Sequence, residues 1–188
     1  MKKFWMILTL VIVGGLWAEI AFADTVSLDD RGANMVSEVM APEIFIKAIN
    51  PGYTIDGKNN VGEMIEIARK DDSDELISLA GLTVSYTTSG GKETILVEFP
   101  ENSFLAGESI LLRLASSPDS GLANLNYSKT LALKGGPLEL KWRDELIDSV
   151  CWSGGTECYS EFKSSNPTVL VKQGDVYSHL SIDVNAVG

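Results

Sequence analysis

The chain of 188 residues has one histidine, two cysteines, and 15 Lys plus Arg against 26 Asp plus Glu, a formal net charge of −11. Each shortage excludes something. Beside the two cysteines a zinc site needs two further ligands, and His179 is the only histidine. It also leaves a serine-type triad without a frame, because no Gly-x-Ser-x-Gly elbow occurs anywhere. In Tyr177-Ser178-His179-Leu180-Ser181 it reads as a solvent-facing strand residue. The shortage of positive charge leaves no basic stripe, so phosphate backbones and anionic lipid are repelled and no nucleic-acid partner is expected. The absence of an internal repeat disfavours propellers and solenoids. Missing crossover helices disfavour a parallel α/β sheet.

What is present begins with Lys2 and Lys3, an apolar run from Phe4 to Trp17, and Ala21-Phe22-Ala23, the small-x-small pattern of a signal peptidase site. The run is shorter than the roughly 20 residues that cross a hydrocarbon core, and Glu19 follows it. It reads as a cleaved signal peptide, residues 1–23, with Asp24 as the first mature residue; an uncleaved tether is the alternative. No later stretch is long enough to span a membrane, and no cysteine sits where lipid attachment needs one. The expectation is an exported protein, secreted or periplasmic and part of the cell envelope, with no stable membrane insertion after cleavage. About 165 mature residues suit one domain with one core.

An exported chain places Cys151 and Cys158, separated by Trp152-Ser153-Gly154-Gly155-Thr156-Glu157, in an oxidising compartment, where a disulfide is the default. Closing so short a loop contributes about 2 to 3 kcal/mol in the chain-entropy model, a local staple.

Residues 24–34 are polar and read as a flexible arm, and strand signals follow. Met35–Ala41 and Gly62–Arg69 are candidate strands. Between them residues 42–60 read as a wide loop, within which Glu43–Asn50 has room for one or two helical turns. From Gly81 the period-two pattern sharpens: Leu82, Val84 and Tyr86 share one face, and Ile95, Val97 and Phe99 another, across Ser89-Gly90-Gly91. Ile110–Ala115 is nearly all apolar, as in a central strand buried on both sides or lying at a sandwich core. Thr130–Leu133 and Leu138–Trp142 flank Gly135-Gly136-Pro137 and read as a second hairpin. Leu146–Trp152, Thr168–Val171 and Tyr177–Val184 complete an all-β sandwich.

The order of these pieces resembles the lamin tail domain, an immunoglobulin-like antiparallel β-sandwich that also occurs in exported bacterial proteins. Val36-Ser37-Glu38-Val39-Met40 stands as the opening strand, and Gly62-Glu63-Met64-Ile65-Glu66-Ile67 resembles the family's Glu-aromatic-Ile-Glu-Ile strand. Ile77-Ser78-Leu79-Ala80-Gly81-Leu82 is similar to its apolar-x-Leu-Ser-Gly-Trp turn, with Leu82 in place of Trp. Phe104 to Leu112 resembles its Leu-x-Pro-Gly segment, and Asp148-Ser149-Val150-Cys151-Trp152 its closing Asp-x-Val-x-Trp strand. The resemblance implies a lamin-tail-like domain over residues 35–188, with Glu63, Glu66, Gly81, Asp148 and Trp152 as structural motif residues, and interaction rather than catalysis.

The remaining candidates are weighed on chemistry. Glu63 and Glu66 have odd separation and fall on opposite strand faces; whichever is buried must be paired or accept hydrogen bonds, for example from turn amides. Asp71, Asp72, Asp74 and Glu75, with Ser73, form the densest acidic run, and oxygen-rich loops are what calcium prefers. The EF-hand spacing is absent, and a solvated turn accounts for the run equally. Trp142 and Trp152 read as core. The loop 42–60, with Tyr53, Asp56, Lys58, Asn59 and Asn60, is the candidate contact surface, because binding residues concentrate on loops held by a rigid scaffold. The reading is a non-enzymatic module, without cofactor unless the acidic turn takes calcium, that binds an extracytoplasmic protein or glycan. Two alternatives stand beside it: a polysaccharide hydrolase using carboxylates such as Glu63, Asp144 or Asp148, and an envelope component that self-associates through a long uncharged edge strand.

Overall fold

A computed structural model describes residues 40–88, 90–152, 158–159, 161–162 and 168–182, all within the unit 39–188. The signal segment, the arm and most of the expected opening strand lie outside these residues. The last members of that strand, Met40 and Ala41, are exposed and outside any strand.

The described residues form fourteen strands: β1 (Ile44–Asn50), β2 (Tyr53–Ile55), β3 (Lys58–Val61), β4 (Met64–Arg69), β5 (Ile77–Ser78), β6 (Leu82–Thr87), β7 (Glu93–Glu98), β8 (Phe104–Leu105), β9 (Ser109–Leu114), β10 (Leu125–Tyr127), β11 (Pro137–Trp142), β12 (Glu145–Cys151), β13 (Thr168–Gln173) and β14 (Val176–Ser181). Six form one sheet in the order β10-β9-β4-β1-β13-β14 and four form another in the order β12-β11-β6-β7. All pairs are antiparallel except β9 with β10. Ile44, Ile46, Ile65, Ile67, Leu112 and Leu170 of the first sheet share one core with Leu82, Val84, Leu138, Leu140 and Val150 of the second. The chain is an all-β sandwich. Among the described residues the helical content is a 3₁₀ turn at Ser120–Leu122, and no helix is long and apolar enough to cross a membrane.

Several local expectations are corrected. Residues 42–60 are not a wide loop, and Glu43–Asn50 is not helical: β1 occupies 44–50. A shift of register against β4 between Ile46 and Ala48 turns both Ala48 and Ile49 inward. Its apolar spacing therefore departs from period two and imitates a helix. A similar shift between β6 and β7 buries both Leu96 and Val97 and leaves Ile95 58% exposed, so Ile95, Val97 and Phe99 do not share a face. Strand β9 is buried on one side only: Leu112 and Leu114 face the core while Ile110, Leu111 and Arg113 are half-buried. Beyond it lies only the three-residue β10.

The expected hairpin at Gly135-Gly136-Pro137 does not exist, because residues 130–133 form no strand. Its glycines serve close approach instead. A Cβ on Gly135 would fall 2.6 Å from the ring of Trp152, which is fully buried, stacks on Tyr86 at 5.7 Å and donates its indole N–H to Ala132 O at 2.9 Å. The partner of β11 is β12, joined through Arg143 and Asp144, both at positive φ (49° and 67°), as a two-residue type I′ turn requires.

The irregularity in β1 is held by Asp148 of β12. Its Oδ2 accepts the Ile46 N–H at 2.8 Å, both oxygens accept from Lys172 Nζ on β13 at 3.1 and 3.2 Å, and Tyr177 Oη on β14 donates to Ile46 O at 2.5 Å. One carboxylate thus ties an edge strand of the four-stranded sheet to the middle of the six-stranded one. Cys151 and Cys158 are disulfide-bonded, with Cα atoms 4.8 Å apart, and Tyr159 N–H donates to Cys151 O.

Asp148→Ala leaves the Ile46 amide and the Lys172 ammonium without their acceptor. With 14% and 17% of the two charged side chains exposed, the expected cost is about 3 kcal/mol, the lower end for breaking a buried pair. Urea unfolding at neutral pH measures it; a loss below about 1 kcal/mol would show that the sheets do not depend on this carboxylate. Replacing both cysteines by serine is expected to cost about 2 kcal/mol in the same assay, and a larger loss would mean that the bond holds more than its own loop.

Candidate functional site

Between β1 and β4 the chain makes a hairpin of its own. Strands β2 and β3 turn on Asp56-Gly57, at φ 50° and 76°, with Ile55 opposite Lys58. These are the two positive dihedrals of a type I′ turn, which Asp-Gly adopts readily. The base of the hairpin is locked: Asn60 stands at φ 58° with its carbonyl accepting from Ser117 Oγ at 2.8 Å. Gly62, at φ 72°, admits the Tyr53 ring where a Cβ would stand 2.9 Å from it.

The hairpin faces the segment around residues 131–133 across an open cleft of about 250 Å³. Tyr53, Thr54, Asn59 and Asn60 line one side, and Leu131 and Leu133 line the other. Of the predicted contact residues, Tyr53, Asn59 and Asn60 are brought together here, whereas Asp56 and Lys58 are exposed at the hairpin tip, outside the cleft. Thr54, Leu131 and Leu133 were not anticipated. The Asp56-Gly57 pair beside Tyr53-Thr54-Ile55 is the signal that could have placed Thr54, because residues flanking a type I′ turn pair across it. Thr54 Oγ1 donates to Asn59 Oδ1 at 3.0 Å.

Behind the cleft lies Glu63, fully buried. Its Oε1 accepts the Leu131 N–H at 2.8 Å and the Tyr127 hydroxyl at 3.1 Å, while Oε2 has no partner among the described residues. Burial away from water pushes its pKa up from 4.5 to about 7; the two hydrogen bonds oppose the shift only in part. Glu63 therefore sets the position of Leu131, and with it one wall of the cleft. Glu66, on the other face of the same strand, pairs with Lys47 at 2.9 Å and accepts from Ser109 Oγ at 2.7 Å.

In comparison with known proteins, no family model matches the chain and no curated protein matches it. The site is read from its own geometry.

The other predicted residues stand apart from the cleft. The acidic turn is organised by a buried arginine: Arg69 Nε donates to Asp71 Oδ1 at 2.6 Å and Nη1 to Glu75 O at 2.9 Å. That hydrogen bond holds the Asp71 carboxyl below its ordinary range. Asp72, Asp74 and Glu75 are exposed. Among the described residues no three His, Cys, Asp or Glu side chains gather closely enough to hold a metal ion. Gly81, at φ 75°, accepts the Arg143 N–H and lies in a second open cleft of about 560 Å³ whose charged lining is Glu98, Glu101 and Arg143. Trp142 donates its indole N–H to Ala80 O at 3.1 Å under the Arg143 guanidinium. His179 is not solvent-facing as expected but half-buried, its ring edge-on to Phe162 at 4.9 Å. Three carboxylates were named for hydrolysis. Glu63 is enclosed and Asp148 latched, while Asp144 occupies the exposed β11–β12 turn.

The raised pKa of Glu63 has a defined sign. Between pH 4.5 and 7 the folded chain holds this proton and the unfolded chain does not, so stability falls as pH rises through that window. The loss is complete above the folded value and amounts to about 3 kcal/mol. Unfolding free energies of the wild type and Glu63→Gln at pH 4 and pH 8 isolate it: the wild type should lose about 3 kcal/mol relative to the variant. An unchanged difference would mean that burial leaves the Glu63 pKa at its unfolded value.

Proposed function

We propose that the chain is an exported, non-enzymatic binding module, lamin-tail-like in its motif order, that engages an extracytoplasmic partner through the β2–β3 hairpin and the facing 131–133 segment. One observation carries the reading: polar side chains stand in an open cleft on backbone fixed by a type I′ turn, a left-handed Asn60 and the Glu63–Leu131 hydrogen bond. Side chains pre-positioned in this way lose little freedom when a ligand orders them, which favours binding. Absence of catalysis is supported by the state of the carboxylates: Asp148 spends both oxygens on hydrogen bonds that hold the sandwich, and Glu63 is fully buried with its Oε1 bound to Leu131 and Tyr127. The excess of acid speaks against nucleic acid as partner. Export is supported by the signal-like N-terminus and by the Cys151–Cys158 bond, which suits an oxidising compartment.

A second reading has one observation in its favour. Strand β14, Val176-Tyr177-Ser178-His179-Leu180-Ser181, ends the six-stranded sheet, carries no Lys, Arg, Asp, Glu or Pro, and exposes Val176 and Leu180. Such an edge lacks the charges that usually block strand-to-strand pairing, so self-association through β14 is its natural use.

Two measurements decide between these. Mass spectrometry of the protein recovered from its host should find Asp24 at the N-terminus; a retained Met1 would overturn export by cleavage. In capture from the host's envelope fraction, Thr54→Val with Asn59→Leu should lower retention at least tenfold while leaving the unfolding midpoint unchanged, and Leu180→Lys should leave retention intact. The reverse pattern, with a monomer–dimer shift caused by Leu180→Lys alone, would favour the edge strand.

A further inference from the structure

The lining of the hairpin cleft carries no charge. In a chain with 26 acidic residues, Tyr53, Thr54, Asn59, Asn60, Leu131 and Leu133 present amides, hydroxyls and aliphatic surface. Glu63 lies buried behind the wall, turned to Leu131 and Tyr127, and the Arg113 and Asp119 charges beside Tyr53 and Asn60 are paired with each other. A cationic ligand would find no counter-charge in this lining, and an anionic one would find no unpaired cation beside it. Either would give up hydration without an opposite charge to replace it.

The polar groups are also of one kind. Asn59 Oδ1 accepts from Thr54 Oγ1, which leaves the Asn59 amide N–H groups to donate and the Thr54 oxygen to accept. Tyr53 lines the cleft at 7% exposure, its ring packed over Gly62, and a hydroxyl serves as donor and acceptor alike. Groups that donate and accept from neighbouring positions match vicinal hydroxyls, each of which does the same. Leu133, half-buried, offers the aliphatic surface that covers the C–H face of a sugar ring, with the buried Leu131 behind it. The volume, about 250 Å³, is below the roughly 300–1,000 Å³ of pockets that enclose a drug-sized ligand. The cleft therefore grips one ring of a chain whose remainder stays in solvent.

We infer that the hairpin cleft is a binding site for one ring of a neutral glycan, held by Tyr53, Thr54, Asn59 and Asn60 against Leu131 and Leu133. This rests on the binding-module reading and names its ligand class. Binding is weak per site, because an open cleft desolvates one face of the ring only.

The test is an NMR titration of the purified, disulfide-bonded full chain with four neutral trisaccharides (cellotriose, chitotriose, maltotriose and mannotriose) and with trigalacturonate as a charged control. Envelope capture is run in parallel. The inference predicts saturable shifts for at least one neutral sugar, centred on the amides of Thr54, Asn59, Asn60 and Leu131. Thr54→Val with Asn59→Leu, both exposed and tolerant of change, should weaken them at least tenfold, and Tyr53→Phe should weaken them severalfold. No shift with any neutral sugar, shifts mapped elsewhere, or preference for trigalacturonate overturns the inference. If envelope capture still depends on Thr54 and Asn59 in that case, the binding module survives with a protein as its partner. If capture is indifferent to the hairpin as well, both readings fall.

Discussion

Taking a carboxylate out of water costs several kcal/mol unless something replaces its hydration, and the sandwich is arranged around two places where this is done. At one, Glu63 stands at the entry to β4 with its side chain turned into the core. The strand before it needs Gly62 at positive φ, and the segment after β10 must bring the Leu131 amide and the Tyr127 hydroxyl to the same oxygen. A long connection between β10 and β11, which has no strand partner over residues 130–133, gains a fixed position from these contacts and from Trp152, whose indole holds Ala132 O. At the other place, Asp148 completes the hydrogen bonding of the irregular β1 and binds Lys172 and Tyr177 from the far strands. The two carboxylates differ in their partners. Glu63 keeps one oxygen without a partner among the described residues and is driven toward the neutral form; Asp148 accepts from an ammonium and an amide.

The irregular register of β1 and β7 follows from the same need to fill one core from two twisted sheets. A regular strand buries every second side chain. Where the register slips, two adjacent residues turn inward, Ala48 with Ile49 and Leu96 with Val97, and the strand bends. The slip in β1 is what leaves the Ile46 amide for Asp148 to accept. A defect in one sheet becomes the joint between both.

These slips mark where sequence stopped being legible. Regular alternation in Leu82, Val84 and Tyr86, and in Leu138, Leu140 and Trp142, located β6 and β11 correctly, and the candidate strand Gly62–Arg69 contains β4. Ile44-Phe45-Ile46 followed by Ile49 did not look like a strand, because its spacing includes the slip and is close to helical. Gly135-Gly136-Pro137 looked like a turn because glycine and proline mark turns, yet these glycines admit a tryptophan 17 residues away in sequence and a hydrogen bond from the Gly136 N–H to Thr87 O. Nothing local encodes that use. Half of the cleft was within reach: Tyr53, Asn59 and Asn60 were singled out as loop residues, and the Asp56-Gly57 turn that pairs Thr54 with Asn59 was visible. Leu131 and Leu133 were not, since their place depends on Glu63 across the fold.

That dependence also says why a contact surface belongs at this end of the sandwich. Side chains on β4, β6 and β11 are committed to the core or to the ladder, and changing one disturbs its neighbours. The β2–β3 hairpin belongs to neither large sheet, so Thr54 and Asn59 can be altered without disturbing the ladder, whereas the frame that aims them ties Asn60 to Ser117 in the turn after β9, and Glu63, at the entry to β4, to Leu131 and to Tyr127 of β10. A site built so combines freedom in the groups that meet a ligand with rigidity in the groups that hold them. The acidic turn at residues 71–75 has the opposite construction. Its one buried cation, Arg69, is used up within the turn, so its carboxylates are a solvated edge, and the uncharged cleft remains the place where polar side chains stand ready on fixed backbone.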